Sequence, residues 1–594
     1  MEDMFDVRCS NENLDIKCHR RGEELIITAH NTGNRIEGCC IKATMKLPGI
    51  ESAYTLFPGA IYDGNRADMI WPGNYPPRLK DFAKVNHEGP VIIGDIPGWK
   101  NGITVQTFDL TMPACGIYYD HEKRGIIFGI ETGPVETPYG FTVDSDSVTL
   151  EFPCIRKSRY RHCGVYEQSH DKGIRFESNE TKTFVIRVND SGFIDRAEFS
   201  LAMTLMFKKQ YIEREFRHEE LVKGCIEKIN RDDFNDDEGY YMDSGESRRF
   251  QVGWVSGLLT AYTMLLTDNP VYHERAVRTI RFVLDRGMSP SGLPFGIYDS
   301  KGFRGMKPYD PDGLDFSGTH VRRIYDAILY MFKITDLPVV NDSLKKELMA
   351  AAGSGCRCLF DMAVRYGHFG HSVDLMTGDI LWGGSAAGIT GISCLCKGYK
   401  AGGPFEWLEA ATKAGEYYSR FNDRGYYNGG PGDILMAPDS ESNYAAMEAF
   451  YLLYKTTGEE RWKLEFQKAA SLVTTWVCLQ EYPFPEDSAY GRMGIDTTGL
   501  VMANSQNKHL GPGICTASAI LFKHAWEFSG NEVFRDLHEI IRDAAAGIAI
   551  HFNGMIPEDI NVSDSLCERG EFYEGHGIWT ENAYVLMNLE KHHE

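Results

Sequence analysis

The hydrophobic pattern changes its period near residue 207, and this change limits the possible folds more than any other feature of the chain. Up to that point, short β-rich runs such as 24–29, 116–119 and 125–130 alternate with turn residues, a pattern typical of an antiparallel sandwich. Beyond it, apolar residues recur with the period of a helix. We therefore predict an α+β chain with a β-sandwich at 1–207 and a helical domain at 247–594.

The helical part shows a second alternation, because nearly charge-free helices take turns with amphipathic ones. The predicted helices cover residues 210–230, 247–267, 270–286, 316–335, 342–366, 383–399, 404–421, 440–457, 459–479, 512–528, 531–552 and 575–589. Segment 383–396 contains no charged residue, whereas 272–286 carries arginines away from its apolar face. Inner and outer helices of this kind predict six hairpins that close into an (α/α)6 barrel, with 208–246 as a linker helix and acidic linker.

Composition and charge exclude several classes of partner. Of the 594 residues, 43% are hydrophobic and 25% are charged, which is ordinary for a globular protein. A net charge of −22 repels nucleic acids and anionic lipid surfaces. The amino terminus lacks a secretion-signal pattern, no apolar run is long enough to span a membrane, and the 15 cysteines fit free thiols in a reducing compartment. We expect a cytoplasmic protein without a membrane or nucleic-acid partner.

Loop lengths place the function at one end of the barrel. Connections after the charge-free helices are tight, whereas the loops before them are long, polar and rich in aromatic residues. These loops lead into the first turns of the inner helices, where free N–H groups favour carboxylates and anions. Sugar chemistry requires this mixture, since aromatic rings stack on sugar faces and a carboxylate pair supplies acid and base.

Three carboxylates are the catalytic candidates. Asp439 and Glu441 open an otherwise apolar helix, and Asp315 lies in the loop before another inner helix. We expect one carboxyl group to protonate the glycosidic oxygen and another to activate water or attack C1 of the sugar. Helix capping explains Asp439 or Ser440 equally well, because these residue types are favoured at helix starts.

A larger set of residues is expected to bind the substrate. Arg322, His320 and Lys508 are the predicted contacts of a substrate carboxylate, which indicates a uronic acid, because arginine holds a carboxylate with two parallel hydrogen bonds. The other predicted binding residues on this end of the barrel carry aromatic or imidazole rings: Tyr309, Trp382, Tyr444, His509, His576 and Trp579. Alternatively, the arginines near residue 322 do not bind substrate but form an ordinary ion pair with a protein carboxylate such as Asp326.

A loop of the predicted sandwich adds two further candidates. Tyr62 and Arg66 belong to the motif Tyr-Asp-Gly-Asn-Arg at 62–66, which is followed by Tyr-Pro-Pro-Arg at 75–78. Either the loop reaches over the barrel mouth, where both residues bind substrate, or it packs as an Ω-loop between the domains.

No cofactor and no metal ion are expected. His368, His371 and Asp374 straddle Gly370 in a loop and lack the spacing of two histidines on one helix face. The sequence also lacks nucleotide-binding and serine-hydrolase motifs.

With the helix alternation, the preceding sandwich and the motifs at 62–66 and 75–78, the chain resembles the six-hairpin glycosidases. Within them it is most similar to the β-glucuronidases of glycoside hydrolase family 154, and the resemblance covers essentially the whole chain. It implies hydrolysis of a terminal β-linked glucuronic acid by two carboxylates, without a cofactor, in a homo-oligomer.

Other activities could use the same barrel. An unsaturated-uronide hydrolase needs the same grip on a uronate but protonates a vinyl ether. A uronate polysaccharide lyase needs a base near C5 of the sugar, for which Tyr309, Tyr444 and His320 are available. A sugar epimerase could use His320 with His576. A carbohydrate-binding protein is the non-enzyme alternative.

Overall fold

A computed structural model of the chain describes residues 4–65, 103–156, 158–160, 166–208, 211–212, 214–245, 249–305, 318–431, 437–505, 510–513, 517–562 and 568–590. Within these ranges the predicted α+β class is confirmed, since antiparallel strands fill the amino-terminal part and helices dominate the rest. None of the helices in this described part is both long enough and apolar enough to cross a membrane.

The amino-terminal strands form two large antiparallel sheets. Their bounds are β1 (Phe5–Cys9), β2 (Leu14–Arg21), β3 (Glu24–Asn31), β4 (Ile36–Cys39), β5 (Ile41–Lys46), β6 (Tyr54–Phe57), β7 (Ile61–Tyr62), β8 (Ile103–Gln106), β9 (Ala114–Tyr119), β10 (Arg124–Gly129), β11 (Gly140–Val143), β12 (Ser147–Phe152), β13 (Ser158–Tyr160), β14 (Tyr166–Gln168), β15 (Ile174–Phe176) and β16 (Thr181–Gly192). One sheet has the order β1-β5-β12-β11-β8, and the other has the order β2-β3-β16-β10-β9-β6-β7. Strands β13 and β14 pair with each other, as do β15 and β4.

The two large sheets share one apolar core. Phe5 and Phe141 of the first sheet contact Phe128 and Phe57 of the second, with ring centroids 6.3 Å and 6.2 Å apart. Inward-facing residues of both sheets belong to the same buried cluster. Along β5, buried residues alternate with more exposed ones, as expected for a strand with one face on the core. The sheets therefore pack face to face.

The helices of the described part follow simple rules at their ends. They are α1 (Arg196–Phe207), α2 (His218–Asp232), α3 (Leu258–Leu265), α4 (Pro270–Arg286), α5 (Val321–Thr335), α6 (Asp342–Tyr366), α7 (Thr390–Lys400), α8 (Phe405–Arg424), α9 (Ser440–Thr457), α10 (Glu460–Val473), α11 (Ala489–Met493), α12 (Ile520–Ser529), α13 (Glu532–Ala549) and α14 (Gly577–Leu589). The side chains of Asn269, Asn341 and Asn531 cap α4, α6 and α13. Gly425 and Gly458 end α8 and α9 in the left-handed conformation that glycine adopts easily.

Twelve of the described helices, all except α1 and the short α11, form what we call the helical ring. Helix α3 packs with α4, α5 with α6, α7 with α8, α9 with α10, and α12 with α13, while α14 packs against α2. Helices α3, α5, α7 and α9 lie side by side as an inner layer, and α14 packs against α3. Tyr444 of α9 contacts Leu521 and Phe522 of α12. Helix α2, which falls in the predicted linker, therefore lies in the ring as the partner of the last helix.

Short strands gather at the amino-terminal ends of the inner helices. The remaining described strands are β17 (Phe234–Asn235), β18 (Tyr240–Tyr241), β19 (Phe250–Gln251), β20 (Ile297–Asp299), β21 (Gly302–Arg304), β22 (Thr319–His320), β23 (Ser372–Val373), β24 (Ile380–Trp382), β25 (Val501–Met502), β26 (Leu510–Gly511), β27 (Asp559–Ile560) and β28 (Phe572–Tyr573). Strands β19, β22, β24 and β28 lead into α3, α5, α7 and α14. We call this end of the ring, where the inner helices begin, the rim.

Several inner helices begin later than the sequence predicts. Helices α4 and α6 occupy the predicted 270–286 and 342–366, whereas α3 begins at Leu258 and α12 at Ile520. Strand β19 occupies part of the predicted helix 247–267, and Gly257 directly before α3 and Ala519 directly before α12 have φ values of 53° and 54°. Periodicity cannot separate a short buried strand from a buried helix turn, so the sequence predicts helix at β19 as well.

The sandwich and the ring meet at the turn Thr474–Trp476, which follows α10. The ring of Tyr62 stacks on Trp476 at 4.5 Å, and its hydroxyl lies 3.0 Å from that of Thr475. Thr111 donates a hydrogen bond of 2.5 Å to the carbonyl of Thr475. The prediction that Tyr62 binds substrate is therefore corrected, because both its ring and its hydroxyl are engaged at this interface. Arg66 lies outside the described residues.

Candidate functional site

Glu441 lies in the first turn of α9, at the centre of the residues that the rim brings together. Its side chain is 1% exposed, and Oε2 accepts a hydrogen bond of 2.7 Å from the indole Nε1 of Trp254. Trp254 lies just before α3, and its ring is 4.9 Å from that of Trp579 in α14. The carboxylate is therefore tied to two other inner helices through a pair of tryptophans.

Two arginines at the start of α5 lie beside this carboxylate. Arg322 donates from Nη1 to the main-chain carbonyl of Glu441 at 3.2 Å and from Nε to Asp326 at 2.8 Å. The guanidinium of Arg323 lies 4.5 Å from the ring centroid of Trp254, and its Nε donates to Gln251 at 3.2 Å. Arg322 is thus already paired with a carboxylate of its own helix, which is the alternative that the sequence left open.

His320 and His371 form a buried imidazole pair under the rim. Strand β22 pairs with β23, which brings the two rings to 4.8 Å in an edge-to-face arrangement. His320 Nε2 lies 3.0 Å from the carbonyl oxygen of Gly429, and His371 Nδ1 lies 2.7 Å from Oγ of Ser385. Burial and the nearby Arg323 lower the pKa of His320 to about 3, and burial lowers the pKa of His371 well below its usual value.

The predicted role of His320 as a contact of a substrate carboxylate is therefore corrected. Its side chain is 0% exposed, and an imidazole with a pKa of about 3 carries no charge at neutral pH. Desolvation is the physical reason, because burial disfavours the charged form.

Asp439 caps α9. Its Oδ1 accepts from the backbone N–H of Ser442 at 2.6 Å, and its Oδ2 accepts from the N–H of Gly430 at 2.9 Å and from the Ser442 hydroxyl at 3.0 Å. Burial raises the pKa of this carboxyl to about 6 despite these hydrogen bonds. Both oxygens are occupied by the protein itself, which is the geometry of a helix cap.

A second cluster of ionisable groups lies at the start of α14. His576 Nδ1 lies 2.6 Å from Oδ2 of Asp243, and the backbone N–H of His576 donates to Oε2 of Glu558 at 2.7 Å. Burial opposes a charge on this ring, but the negative Glu558 and the hydrogen bond with Asp243 raise the pKa of His576 to about 9. The side chain is 22% exposed, so a charged imidazole reaches solvent at the rim.

A narrow cavity continues from the rim along the axis of the ring. Trp254 and Trp579 line it at the rim, and Lys333, Glu448 and Glu590 lie further along the same helices. Lys333 pairs with Glu448 at 2.8 Å. At about 90 Å³ the cavity is smaller than ordinary ligand pockets, so a sugar-sized ligand would bind at the rim.

The other predicted site residues fall into two groups. Tyr444 lies in α9, where its hydroxyl accepts from the N–H of Leu521 at 3.2 Å, and Trp579 faces the axial cavity. Trp382 ends β24, but its side chain is not described. The predicted residues that lie outside the described ranges are Tyr309, Asp315, Lys508 and His509, together with Arg66.

Sequence reasoning missed Asp243 and Glu558. Asp243 falls in the predicted acidic linker, and Glu558 precedes the short strand β27 in a loop before the last helix. Neither belongs to a periodic segment, so pattern alone gave no reason to choose them. One local signal is present. Glu558 and Asp559 stand between the apolar residues Ile556 and Ile560, whereas acidic residues of an exposed loop usually have polar neighbours.

The loop with His368, His371 and Asp374 is held by other contacts. His368 stacks on Tyr417 at 4.9 Å, and Asp374 accepts from the backbone N–H of Met376 at 2.7 Å. Across the described ranges, no cluster of three or more histidine, cysteine, aspartate or glutamate side chains is arranged to hold a metal ion.

Comparison with known proteins bears on the fold. No family model and no curated protein sequence matches the chain. A solved polysaccharide lyase is 9% identical with a TM-score of 0.50, over 99% of this chain and 89% of the lyase. A D-mannose isomerase is 10% identical with a TM-score of 0.42, over 64% of this chain and 100% of the isomerase. A family 76 glycoside hydrolase from a bovine Bacteroides thetaiotaomicron strain is 11% identical with a TM-score of 0.40, over 98% and 99% of the two chains.

At 9% identity, the likeness to the lyase concerns the fold alone. The likeness extends over nearly the whole chain, so the fold with a β-rich part followed by a helical ring is similar to that of a solved structure. The TM-scores of the isomerase and of the family 76 hydrolase are too low to compare their folds with this one.

Proposed function

We propose that the chain is a carbohydrate-active enzyme, a glycoside hydrolase that releases terminal β-linked glucuronic acid. The observation that carries this proposal is the buried Glu441, which is held by an indole N–H and flanked by an arginine at the start of an inner helix. The sequence resemblance to family 154 β-glucuronidases supports the substrate. The fold shared with a polysaccharide lyase supports action on carbohydrates.

Hydrolysis of a glycosidic bond needs an acid and a second carboxylate. The acid gives its proton to the bridging oxygen as the C1–O bond breaks, and the carboxylate takes a proton from water or attacks C1. Glu441 is the second carboxylate in this proposal, because the hydrogen bond from Trp254 fixes its orientation at the rim. Asp315, outside the described ranges, is the proposed acid, and Asp439 is left to cap its helix.

The tryptophan pair explains how the sugar ring could be held. The rings of Trp254 and Trp579 meet at 4.9 Å at the mouth of the axial cavity. Aromatic faces pack against the C–H faces of a sugar, and a nearby carboxylate can then reach its anomeric carbon. The cavity below is too small for a sugar, so the ring would sit on the tryptophans with its aglycone pointing to solvent.

The test is hydrolysis of chromogenic β-D-glucuronide beside the matching β-glucoside and β-galacturonide. We expect release from the glucuronide alone, and a loss of about 100-fold or more in kcat/KM for Glu441→Gln. Glu416→Gln is the matched control, because Glu416 lies on the outer helix α8 in an exposed ion pair with Arg461. Equal rates for Glu441→Gln and the wild type, or equal cleavage of the glucoside, would contradict the proposal.

A uronate polysaccharide lyase is the second candidate. One observation favours it: a solved structure that shares the fold is a polysaccharide lyase. A lyase removes the proton at C5 with a tyrosine or histidine base and expels the C4 substituent, which leaves a C4–C5 double bond. Incubation with polyuronates while the ultraviolet absorbance of that double bond is recorded separates the two reactions, since hydrolysis produces none.

A further inference from the structure

The proposed substrate carries a carboxylate, and its positive partner has to be found among the cations of the rim. Arg322 is paired with Asp326 at 2.8 Å and also donates to the Glu441 carbonyl. His320 is buried and uncharged at neutral pH. Two of the three contacts predicted from the sequence are therefore poorly suited, and the third, Lys508, lies outside the described ranges.

We infer that the carboxylate of the sugar binds at a subsite formed by His576 and Arg323, with Asp243 and Glu558 positioning the imidazole. This inference rests on the proposed function, because it presumes a uronate ligand. Oδ2 of Asp243 lies 2.6 Å from Nδ1 of His576 and takes up that nitrogen's hydrogen bond. The Nε2–H group is therefore the donor that the ring can offer to a ligand. The ring is 22% exposed, so a ligand can reach it.

The backbone around His576 is shaped for this arrangement. Gly575 has a φ of 47°, and a Cβ added there would lie 2.1 Å from Oε2 of Glu558. Only glycine therefore lets Glu558 approach and accept the backbone N–H of His576 at 2.7 Å. Two carboxylates fix the position of the imidazole: Asp243 forms a hydrogen bond with the ring, and Glu558 accepts one from the main-chain N–H.

The subsite lies next to the tryptophan platform. Trp579 follows His576 by one turn of α14 and contacts Trp254, whose indole donates to Glu441. The guanidinium of Arg323 lies 4.5 Å over the ring of Trp254. A sugar stacked on the tryptophans would thus have Glu441 on one side and the two cations on another.

The buried charges of this cluster balance, with two carboxylates against two cations. Asp243 and Glu558 oppose the positive charges of His576 and Arg323, and Glu574 adds a carboxylate on the preceding loop. Burial and the neighbouring Glu558 raise the pKa of Asp559 well above its usual value, which favours the uncharged form of this carboxyl group. The imidazolium, 22% exposed, therefore faces solvent, and with Arg323 it balances the two buried carboxylates Asp243 and Glu558 behind it.

The experiment measures binding apart from catalysis. In a Glu441→Gln background, isothermal titration calorimetry gives the dissociation constants of glucuronate and of neutral glucuronamide at pH 7. We expect His576→Gln to weaken glucuronate binding about 10- to 100-fold, as for a hydrogen bond to a charged group, and glucuronamide binding less than about threefold. His121→Gln is the matched control, because His121 is exposed in the hairpin turn between β9 and β10.

Titration with pH supplies a second readout. Glucuronate binding to the wild-type imidazolium should weaken as pH rises through about 9, where His576 loses its proton. Asp243→Asn removes one of the groups that hold this proton, with Glu558 still raising and Arg323 still lowering the pKa, so the loss should begin at a lower pH. This variant also tests the idea if His576→Gln fails to fold.

The outcomes separate the subsite from the proposed function. Equal losses for glucuronate and glucuronamide, or unchanged binding of both, overturn the subsite even if the enzyme hydrolyses glucuronides. Selective loss of glucuronate binding without any glucuronide hydrolysis supports the subsite and overturns the hydrolase. If neither ligand binds the Glu441→Gln protein, the subsite is overturned, and hydrolysis of the chromogenic glucuronide by the wild type still decides the proposed function.

Discussion

His320 and His576 each stand directly before an inner helix, yet their surroundings drive them to opposite charge states. His320 is enclosed, with Arg323 as a like charge, so its pKa falls to about 3. His576 faces Asp243 and Glu558, so its pKa rises to about 9. The sequence shows two similar positions, because the carboxylates that distinguish them come from remote segments near residues 243 and 558. Local pattern can therefore place an imidazole at the rim without fixing its charge.

The depressed pKa of His320 predicts a specific acid sensitivity. Between its folded pKa of about 3 and the unfolded value of about 6.5, the unfolded chain binds the proton more tightly. Stability contributed by the neutral imidazole is thus present above pH 6.5 and is lost as pH falls. From pH 7 to pH 5, the wild type should lose about 2 kcal/mol of unfolding free energy relative to His320→Gln. Urea unfolding of both proteins at the two pH values measures this difference.

The exposed His121 provides the control for that measurement. His121→Gln should follow the wild type at both pH values, because His121 is exposed in the turn between β9 and β10. A difference between the wild type and His320→Gln that stays constant from pH 7 to pH 5 would show that His320 is not held in its neutral form.

At the scale of single elements, the turn Thr474–Trp476 joins the sandwich to the ring through buried polar contacts. Tyr62 of β7 stacks on Trp476, and its hydroxyl contacts Thr475 and accepts from the N–H of Gly59 at 3.0 Å. Thr204 of α1 contacts Thr474 at 2.7 Å. Because these groups are inaccessible to water, each needs its partner, and the interface depends on their alignment.

Tyr62→Phe should therefore affect stability and leave catalysis intact. Loss of the hydroxyl removes its hydrogen bonds and leaves the Gly59 N–H without its acceptor, which should cost about 1 to 2 kcal/mol of unfolding free energy. The KM for the glucuronide should stay within about twofold, since the ring and the hydroxyl of Tyr62 are both engaged at the interface. A several-fold rise in KM with unchanged stability would restore the original prediction that Tyr62 binds substrate. Tyr118→Phe in strand β9 is the control, because it also removes a buried tyrosine hydroxyl that donates a hydrogen bond to a main-chain carbonyl.

The sequence predicts elements best where one face meets solvent. The outer helices α4 and α6 match their predicted bounds, because each has amphipathic periodicity, an asparagine cap before its first residue and a glycine after its last. The inner helix α3 is buried on all sides, so its apolar residues run on without a period into the segment that leads from strand β19 of the rim. The same burial hid the cluster around His576, which three separate segments assemble.

At the scale of the whole molecule, the first and last parts of the helical region pack on each other. Helix α2 packs against α14, and buried Lys228 of α2 pairs with Glu581 of α14 at 3.1 Å and with Asp233 at 3.2 Å. Removing one member of such a buried group leaves a charge without its partner, which is more costly than losing an exposed ion pair. The helix that was expected to link two domains is thus needed to complete the ring.

Sandwich and ring are also bound to each other by charged groups. Arg196 of α1 pairs with Asp120 at 2.7 Å, donates to the carbonyl of Arg424 in α8 at 2.7 Å, and lies 4.5 Å over the ring of Tyr54. The hydroxyl of Tyr54 donates to the carbonyl of Gly425 at 3.0 Å. These contacts couple the unfolding of one part to that of the other, since separation would expose buried donors and acceptors on both sides.

We therefore expect the sandwich and the ring to unfold together. Differential scanning calorimetry of the full chain should show one transition, with a calorimetric enthalpy close to the van't Hoff enthalpy. Arg196→Ala removes contacts to both parts at once and should lower Tm or divide the transition in two, whereas Arg461→Ala, in an exposed pair on α10, should do neither. Two resolved transitions in the wild type would show that the interface is too weak to couple the parts, and the stability of the rim would then depend on the ring alone.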